Sequence, residues 1–192
     1  PDNKVFKDVS EVKKCKNYEV MYKSFYYNNA SIISDTGIIG GNSTDRALMS
    51  FIGSDKNIKD KVIKKEPFDS SVTLSNGITY YKGALEVIMP KCKKYLNSFG
   101  SEVSLINKSV ILKKINMYTK ASGRVLVFAY GECFDELTLL GFVNIKDELR
   151  DEAKEGIRLI KSAGIKPIMI TGDAMDTATS IAREVGLIDI NS

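Results

Sequence analysis

The sequence predicts an α/β protein whose two parts connect their strands differently. The first part combines a hairpin with separate helices, which is typical of an antiparallel sheet flanked by helices. The second part alternates helix, strand and helix, as in a partial Rossmann-like, doubly wound sheet. We place the boundary near residue 145, which gives domains at 1–145 and 146–192. A chain of 192 residues is long enough for one or two domains with their own cores.

Composition narrows the class of protein. With 43% apolar and 27% charged residues, the chain has the balance of a soluble globular protein. No apolar run approaches the roughly 20 residues of a membrane-spanning helix, and no secretory signal opens the sequence. Three scattered cysteines indicate free thiols in the cytoplasm, and the lack of histidine excludes histidine bases and ligands. The net charge of +4, spread over separate lysines, favours solvated faces over nucleic-acid binding.

The first part contains one clear helix and one clear hairpin. Residues 1–30 alternate only weakly between apolar and polar positions. A capping residue at Ser43-Thr44-Asp45 opens a run with one apolar face, which predicts an amphipathic helix over 43–52. Asn76-Gly77 lies between two β-rich runs and predicts a two-residue hairpin.

The remaining elements of the first part follow from periodicity and from glycine and proline. Gly83 ends the second hairpin strand, and the next residues predict a helix that continues, kinked at Pro90, through residue 96. A second helical pattern covers 108–121. Two β-rich runs, 124–130 and 137–143, are separated by a short loop.

The second part is predicted to form a helix over 151–162, a strand over 166–170 and a helix over 175–185. Thr171, Gly172 and Asp173 therefore follow the carboxyl end of a strand, where open α/β sheets bind ligands. Backbone N–H groups at the start of a helix attract phosphate. Asp173 can hold a magnesium-bound water or cap the helix, and the residues alone leave both open.

Three residues of the first part are candidate ligand contacts. Lys82 puts a long cation at a strand end, beside a glycine, Gly83, that lets a ligand approach closely. A surface lysine before a turn is the alternative. Phe68 suits stacking on an aromatic base or a place in the core, and Arg124 at a strand start is equally open. No Walker A loop and no GxGxxG pattern occurs, so a nucleotide site would be built differently.

Five motifs together resemble a known family. They are Gly41–Leu48, Glu66–Ser70, Tyr81–Glu86, Gly141–Arg150, and Ala163–Asp173 with Thr177-Ala178 and Gly186-Leu187. In this order and spacing they resemble P-type cation-transporting ATPases. Within that family they are more similar to the calcium pumps. The resemblance covers nearly the whole chain. It runs from the nucleotide-binding domain into a phosphorylation domain of the haloacid dehalogenase type.

The resemblance implies a role for each matching residue in the nucleotide-binding domain. Phe68 would stack on adenine, and Lys82 would line the nucleotide pocket that Gly83 shapes. Asp45 stands near the adenine, where the family usually has glutamate. Arg124 would face the nucleotide phosphates.

In the second part, the resemblance makes Thr171, Gly172 and Asp173 a partial phosphorylation site, with Thr171 on the transferred phosphoryl group. Asp147 and Arg150 would mark the hinge between the domains. The sequence departs from the family at three places. Asp147-Glu148-Leu149-Arg150 replaces the frequent Asp-Pro-Pro-Arg, Leu85 replaces a proline, and Asp69, Ser70 and Ser71 stand where many calcium pumps have basic residues.

Two family motifs are missing from the sequence: Asp-Lys-Thr-Gly-Thr, which holds the phosphorylated aspartate, and the magnesium motif Gly-Asp-Gly-x-Asn-Asp. Phosphoryl transfer needs a nucleophile, a magnesium site and a cation together. We therefore expect a fragment of the cytoplasmic domain of a membrane pump that binds ATP without hydrolysing it, with Mg²⁺ needed in the intact pump only and no metal site here. Its partners would be the phosphorylation, actuator and transmembrane domains of its own pump, with self-association through the incomplete domain as a further expectation.

Two alternatives remain open from the sequence. One is a free-standing phosphohydrolase of the haloacid dehalogenase type that uses Asp35 as its nucleophile and Thr171 in its second motif. The other is a regulatory module that has lost nucleotide binding.

Overall fold

The computed structural model describes residues 5–66, 70–119, 124–145, 151–171 and 175–188. The chain divides into two compact units, which we call unit 1 (residues 1–111 and 126–143) and unit 2 (residues 112–125 and 144–192). The domain boundary near residue 145 stays a prediction.

Unit 1 begins with helices and a small hairpin. Helices α1 (Val9–Lys13), α2 (Tyr18–Tyr27) and α3 (Ser43–Ile52) flank the strands β1 (Ser31–Ser34) and β2 (Gly37–Gly40), which pair antiparallel. The predicted helix at 43–52 is confirmed. Its predicted cap at Ser43-Thr44-Asp45 was wrong, because the capping residue is Asn42, whose side chain accepts a hydrogen bond from the Asp45 N–H. The helix ends at Gly53, where φ is +64°.

Helix α2 was not predicted from the sequence. Its tyrosines recur every four residues, so Tyr18, Tyr22 and Tyr26 lie on one side of the helix with successive ring centroids 6.0 and 5.1 Å apart. Tyr22 is 1% exposed. Its hydroxyl accepts a hydrogen bond from the N–H of Asp55. The spacing of the aromatic residues was therefore the helical signal in this region.

Unit 1 also holds most of a seven-stranded mixed sheet with the strand order β3-β4-β5-β8-β9-β6-β7. All the pairings that the structure defines are antiparallel except that of β6 with β9. The strands are β3 (Val62–Glu66), β4 (Ser71–Leu74), β5 (Thr79–Gly83), β6 (Cys92–Leu96), β7 (Glu102–Ser104), β8 (Arg124–Gly131) and β9 (Leu137–Ile145). The α/β class is thus confirmed, as are the two predicted runs that became β8 and β9.

The Asn76-Gly77 hairpin is confirmed as the turn between β4 and β5. Asn76 Oδ1 accepts a hydrogen bond from the N–H of Ile78, and Gly77 adopts a φ of +81°. The kinked helix through residue 96 was wrong. Helix α4 (Leu85–Ile88) ends in a 3₁₀ turn (Met89–Lys91), and β6 then pairs with β9. Burial of Cys92 and Leu96 outweighs the helical pattern there.

The core of unit 1 lies on one face of the sheet. Val72 is paired with Tyr80, and Tyr80 with Tyr130, so these residues share a row across β4, β5 and β8. Phe128 on the same face contacts Phe25 of α2, with ring centroids 4.3 Å apart. Tyr80 and Phe128 are each 1% exposed, so this helix-covered face is the apolar centre of the unit.

Unit 2 contains helices α6 (Asp151–Ser162) and α7 (Met175–Glu184), which confirms both predicted helices. Helix α5 (Lys108–Thr119) was also predicted and runs from unit 1 into unit 2. The strand predicted over 166–170 was wrong. That segment pairs with no strand of the described part of the chain, and Ile168 and Ile170 are 81% and 94% exposed. A strand needs a hydrogen-bonded neighbour, and an apolar sequence alone does not supply one.

No helix among the described residues has both the length and the apolar character needed to cross a membrane.

Candidate functional site

The site is built around Asp45, which α3 holds in its first turn. The residue is 6% exposed. Gly41 approaches it closely: a Cβ added there would lie 2.8 Å from the Asp45 Cβ and 2.3 Å from the Ser31 Oγ. Gly41 also has a φ of +59°, which favours glycine. The chain between β2 and α3 can therefore pass directly beside Asp45.

Lys82 on β5 forms an ion pair with Asp45. Its Nζ lies 2.5 Å from Asp45 Oδ1, and the two side chains are only 12% and 8% exposed. Lys82 is in register with Phe128, which places its side chain on the helix-covered face of the sheet. Because both charges are removed from water, loss of either partner would leave the other buried and unpaired.

A third charge, Lys65 on β3, completes what we call the lysine–aspartate cluster (Asp45, Lys65 and Lys82). Its Nζ donates a 2.5 Å hydrogen bond to the carbonyl of Asn29, whose own side-chain amide donates to the Asp45 carbonyl at 3.0 Å. Partial burial lowers the pKa of Lys65, and the charge of Lys82 lowers it further, although Asp45 opposes this. Lys65 and Lys82 thus interact electrostatically with each other, and Asp45 acts on Lys65 as well as pairing with Lys82.

Lys65 was not among the residues predicted for the site. It lies in no motif, and its neighbour Lys64 has the same chemistry. The register supplies the distinguishing signal, because Lys65 is paired with Val72 and shares a row with buried Tyr80. Identifying that row requires the pairing of β3 with β4, which the sequence did not predict.

A cleft of about 680 Å³ lies beside the same strand end. Strand residues such as Thr73, Thr79 and Tyr81 form its floor, and Val87 of α4 and Phe134 form part of its walls. These strand positions alternate with Tyr80 and Lys65, so the floor is the sheet face opposite the core. The rings of Tyr81 and Phe134 lie 5.2 Å apart between centroids.

Lys82 and Gly83 connect the cleft with the cluster, because both residues line the cleft at the end of β5. A Cβ added at Gly83 would lie 3.1 Å from Cγ1 of Ile88 in α4, so glycine allows α4 to pack tightly there. The structure therefore brings together three residues that the sequence singled out: Asp45, Lys82 and Gly83.

The other predicted site residues are not placed against this group. Phe68, Asp147, Arg150, Gly172 and Asp173 lie outside the described residues. Arg124 is the first residue of β8. Thr171 is exposed and directly follows the irregular segment 166–170 of unit 2. The roles of all seven stay predictions.

Asp35, the nucleophile of the alternative interpretation, lies in the turn between β1 and β2. It is exposed, and the neighbouring Ser34 Oγ donates to the Gly37 carbonyl at 2.8 Å, as in an ordinary tight turn. The described residues contain no group of three or more side chains suited to hold a metal ion. Burial raises the pKa of Cys92 to about 11, which keeps this thiol protonated near neutral pH.

Comparison with known proteins connects this chain to one family. Residues 57–191 match the family described as haloacid dehalogenase-like hydrolase, a stretch that begins after Asp35. Calcium-transporting ATPase 7, plasma membrane-type, of Oryza sativa subsp. japonica is 33% identical over 80% of this chain and 18% of the relative. Calcium-transporting ATPase 2, plasma membrane-type, of Arabidopsis thaliana is 36% identical over 67% of this chain and 15% of the relative. The chain spans less than a fifth of the length of these relatives.

The resemblance inferred from the five motifs is therefore confirmed, because these relatives are P-type calcium-transporting ATPases. With a family match over more than half of its residues, the chain belongs to the haloacid dehalogenase-like hydrolase family and is homologous to plant plasma-membrane-type calcium-transporting ATPases.

Proposed function

We propose that this chain is the ATP-binding cytoplasmic part of a P-type cation pump, with calcium as the transported ion, and that ATP binds at the end of β5. The observation that carries the proposal is the buried Lys82–Asp45 ion pair with Lys65 beside it. The names of the relatives as calcium-transporting ATPases support the choice of ion.

The chemistry of the cluster suits a nucleotide. Two ammonium groups against one carboxylate leave a net positive charge at a partly buried site, which favours an anionic ligand. The Asp45 carboxylate is an acceptor for an amino group such as that of adenine. The adjoining cleft of about 680 Å³ is within the usual size range of small-molecule sites. In this proposal Phe68 stacks on the base and Arg124 faces the phosphates.

The catalytic step is assigned to the intact pump rather than to this chain. Thr171, Gly172 and Asp173 would form one corner of the phosphorylation site, and the nucleophilic aspartate and magnesium ligands would come from the remainder of the pump. Asp147 and Arg150 would form the hinge. The exposed apolar side chains of Ile168 and Ile170 support this division, because they leave a surface that further strands could cover. Self-association through the same surface is the competing outcome.

Calorimetric titration with ATP tests the proposal on the wild type and on Phe68→Ala. Base stacking contributes about 1–3 kcal/mol, so we expect Phe68→Ala to weaken binding roughly 5- to 150-fold. Phe99→Ala is the matched control, because Phe99 is 71% exposed in the turn between β6 and β7 and should leave affinity unchanged.

Three results would contradict the proposal. Equal affinities for the wild type and Phe68→Ala would refute the stacking role. Lack of binding by any adenine nucleotide at millimolar concentration would favour the regulatory module. Phosphatase activity that disappears in Asp35→Asn would instead favour the free-standing hydrolase.

A further inference from the structure

The lysine–aspartate cluster carries one more positive charge than negative charge. Lys82 is neutralised by Asp45, since their charged atoms are 2.5 Å apart. Lys65 is held by the neutral carbonyl of Asn29 and forms no ion pair with a carboxylate in the part of the chain that the structure describes. The surplus charge of the cluster therefore belongs to Lys65.

The ammonium group of Lys65 is positioned rather than freely mobile. Asn29, which accepts its hydrogen bond, is 4% exposed and is fixed from both ends. The Asn29 side-chain oxygen accepts from the Ser31 N–H at 2.8 Å, and its amide donates to the Asp45 carbonyl. An ammonium group has three hydrogens, so the bond to Asn29 leaves two for a ligand. A fixed acceptor lowers the ordering cost of that ligand contact.

We propose that Lys65 binds the phosphate groups of the nucleotide and so sets the preference for polyphosphate over the uncharged nucleoside. This inference rests on the proposed nucleotide site and adds to it a residue outside the motifs. Lys65 as a whole is solvent-exposed although its hydrogen bond to Asn29 is partly buried, and the inference requires ligand oxygens to reach the ammonium group from the exposed side. Each additional phosphate brings negative charge to the one cation of the cluster without a carboxylate partner, and affinity should therefore rise with phosphate number.

Lys94 on β6 provides a control outside the candidate site. Its Nζ lies 3.0 Å from Glu102 Oε2, and the two side chains of this pair are 56% and 37% exposed. Lys94 belongs neither to the lysine–aspartate cluster nor to the residues that line the cleft. Replacing Lys65 or Lys94 by methionine removes the same charge, but only the change at Lys65 affects the cluster.

The test is calorimetric titration of the wild type, Lys65→Met and Lys94→Met with adenosine, ATP and inorganic tripolyphosphate. We expect Lys65→Met to weaken ATP and tripolyphosphate binding by roughly 10- to 100-fold and to leave adenosine affinity unchanged. Lys94→Met should change all three affinities by less than about threefold. Lys65→Arg, which keeps the positive charge, should retain most of the ATP affinity.

The pattern of results separates this inference from the proposed function. Equal ATP affinities for the wild type and Lys65→Met would overturn the role of Lys65 while nucleotide binding stands. A parallel loss of adenosine binding in Lys65→Met would also overturn it, because that result would indicate a structural role. Tripolyphosphate binding that depends on Lys65, without adenosine or ATP binding, would support the cation site and refute the nucleotide function. Lack of binding by all three ligands would refute both.

Discussion

Units 1 and 2 contain apolar segments that look alike in sequence and differ in structure. In unit 1, the strands β5 and β8 bury Tyr80 and Phe128, each 1% exposed. In unit 2, the run at 166–170 leaves Ile168 and Ile170 81% and 94% exposed. Strand β8 and the 166–170 run are both rich in the apolar residues that are typical of strands. Composition therefore does not decide whether a segment becomes a strand.

The difference lies in backbone pairing. Strand β5 has neighbours on both sides, β4 and β8, so its N–H and C=O groups enter two hydrogen-bonded ladders. The 166–170 segment pairs with no strand among the described residues. Because a strand acquires its hydrogen bonds only from a partner, an apolar run without one stays irregular and exposed. Four predictions test this comparison, each with one variant in each unit.

The largest difference should come from truncating one apolar side chain in each unit. We expect Phe128→Ala to lower the free energy of unfolding of unit 1 by about 3–5 kcal/mol, because it leaves a cavity against Phe25. Ile170→Ala should change stability by no more than about 0.5 kcal/mol, because Ile170 has little contact to lose. Urea unfolding followed by tyrosine fluorescence measures these changes in the free energy of unfolding of unit 1, since every tyrosine except Tyr118 lies in that unit.

If Ile170→Ala lowered the free energy of unfolding as much as Phe128→Ala does, the contrast between the two units would be contradicted. That result would mean that Ile170 is covered in solution. Repeating the measurement over a range of protein concentrations would then show whether a second copy covers it, because stability would rise with concentration.

Breaking one ion pair in each unit should give the next largest difference. Asp45→Asn leaves the buried ammonium of Lys82 without its carboxylate, and we expect a loss of about 3–4 kcal/mol in unfolding free energy. Glu155→Gln breaks the pair with Arg158, which is largely exposed, and should leave stability unchanged within error. Thermal unfolding by circular dichroism measures both. A small effect of Asp45→Asn would indicate that water or an ion reaches Lys82.

Local signals predicted much of the fold. The Asn76-Gly77 turn, helix α3 and helix α6 each depend on a few neighbouring residues, and all three appear where expected. Elements that depend on distant partners were less predictable. Residues 92–96 became a strand through pairing with β9, and 166–170 did not become one.

The candidate site shows the same division. Asp45, Lys82 and Gly83 lie in motifs, so the sequence singled them out, and the structure places them together. Lys65 lies in no motif. Only the register of β3 against β4 shows that Lys65 is on the helix-covered face of the sheet, whereas Lys64 is on the opposite face. A single sequence does not reveal such a register when the strand is rich in lysine on both faces.

A change of pH should alter the free energy of unfolding of the two units differently, by a smaller amount than the ion-pair variants do. Burial alone would raise the pKa of Asp60 in unit 1, but hydrogen bonds from Ser75 and Lys23 outweigh it and lower that pKa to about 2. A lowered pKa means that the stabilisation is complete above about pH 4 and is lost as the pH falls through about 2. We expect Asp60→Asn to cost about 1–2 kcal/mol at pH 7 and only a small part of that near pH 2, where about half of the Asp60 carboxyl groups are protonated.

The measurement for Asp60 is urea unfolding of unit 1 at several pH values between 2 and 7, with Glu155→Gln of unit 2 as the control. The difference between the wild type and Asp60→Asn should shrink as the solution is acidified. A difference that stays constant with pH would show that the Asp60 side chain acts through packing rather than through its charge.

The smallest expected effect on stability comes from replacing one glycine in each unit by alanine. The sign of the change in stability should differ between the units. Gly156→Ala in α6 should stabilise the chain by about 0.5–1 kcal/mol, because an added Cβ meets no atom within 4 Å and alanine favours helix. Gly41→Ala should destabilise unit 1, because its φ of +59° disfavours alanine and its Cβ would lie 2.8 Å from that of Asp45. Thermal unfolding of both variants measures the two signs. Stabilisation by Gly41→Ala would show that the chain beside Asp45 can shift, and the close approach there would then not be required to hold the Lys82–Asp45 pair.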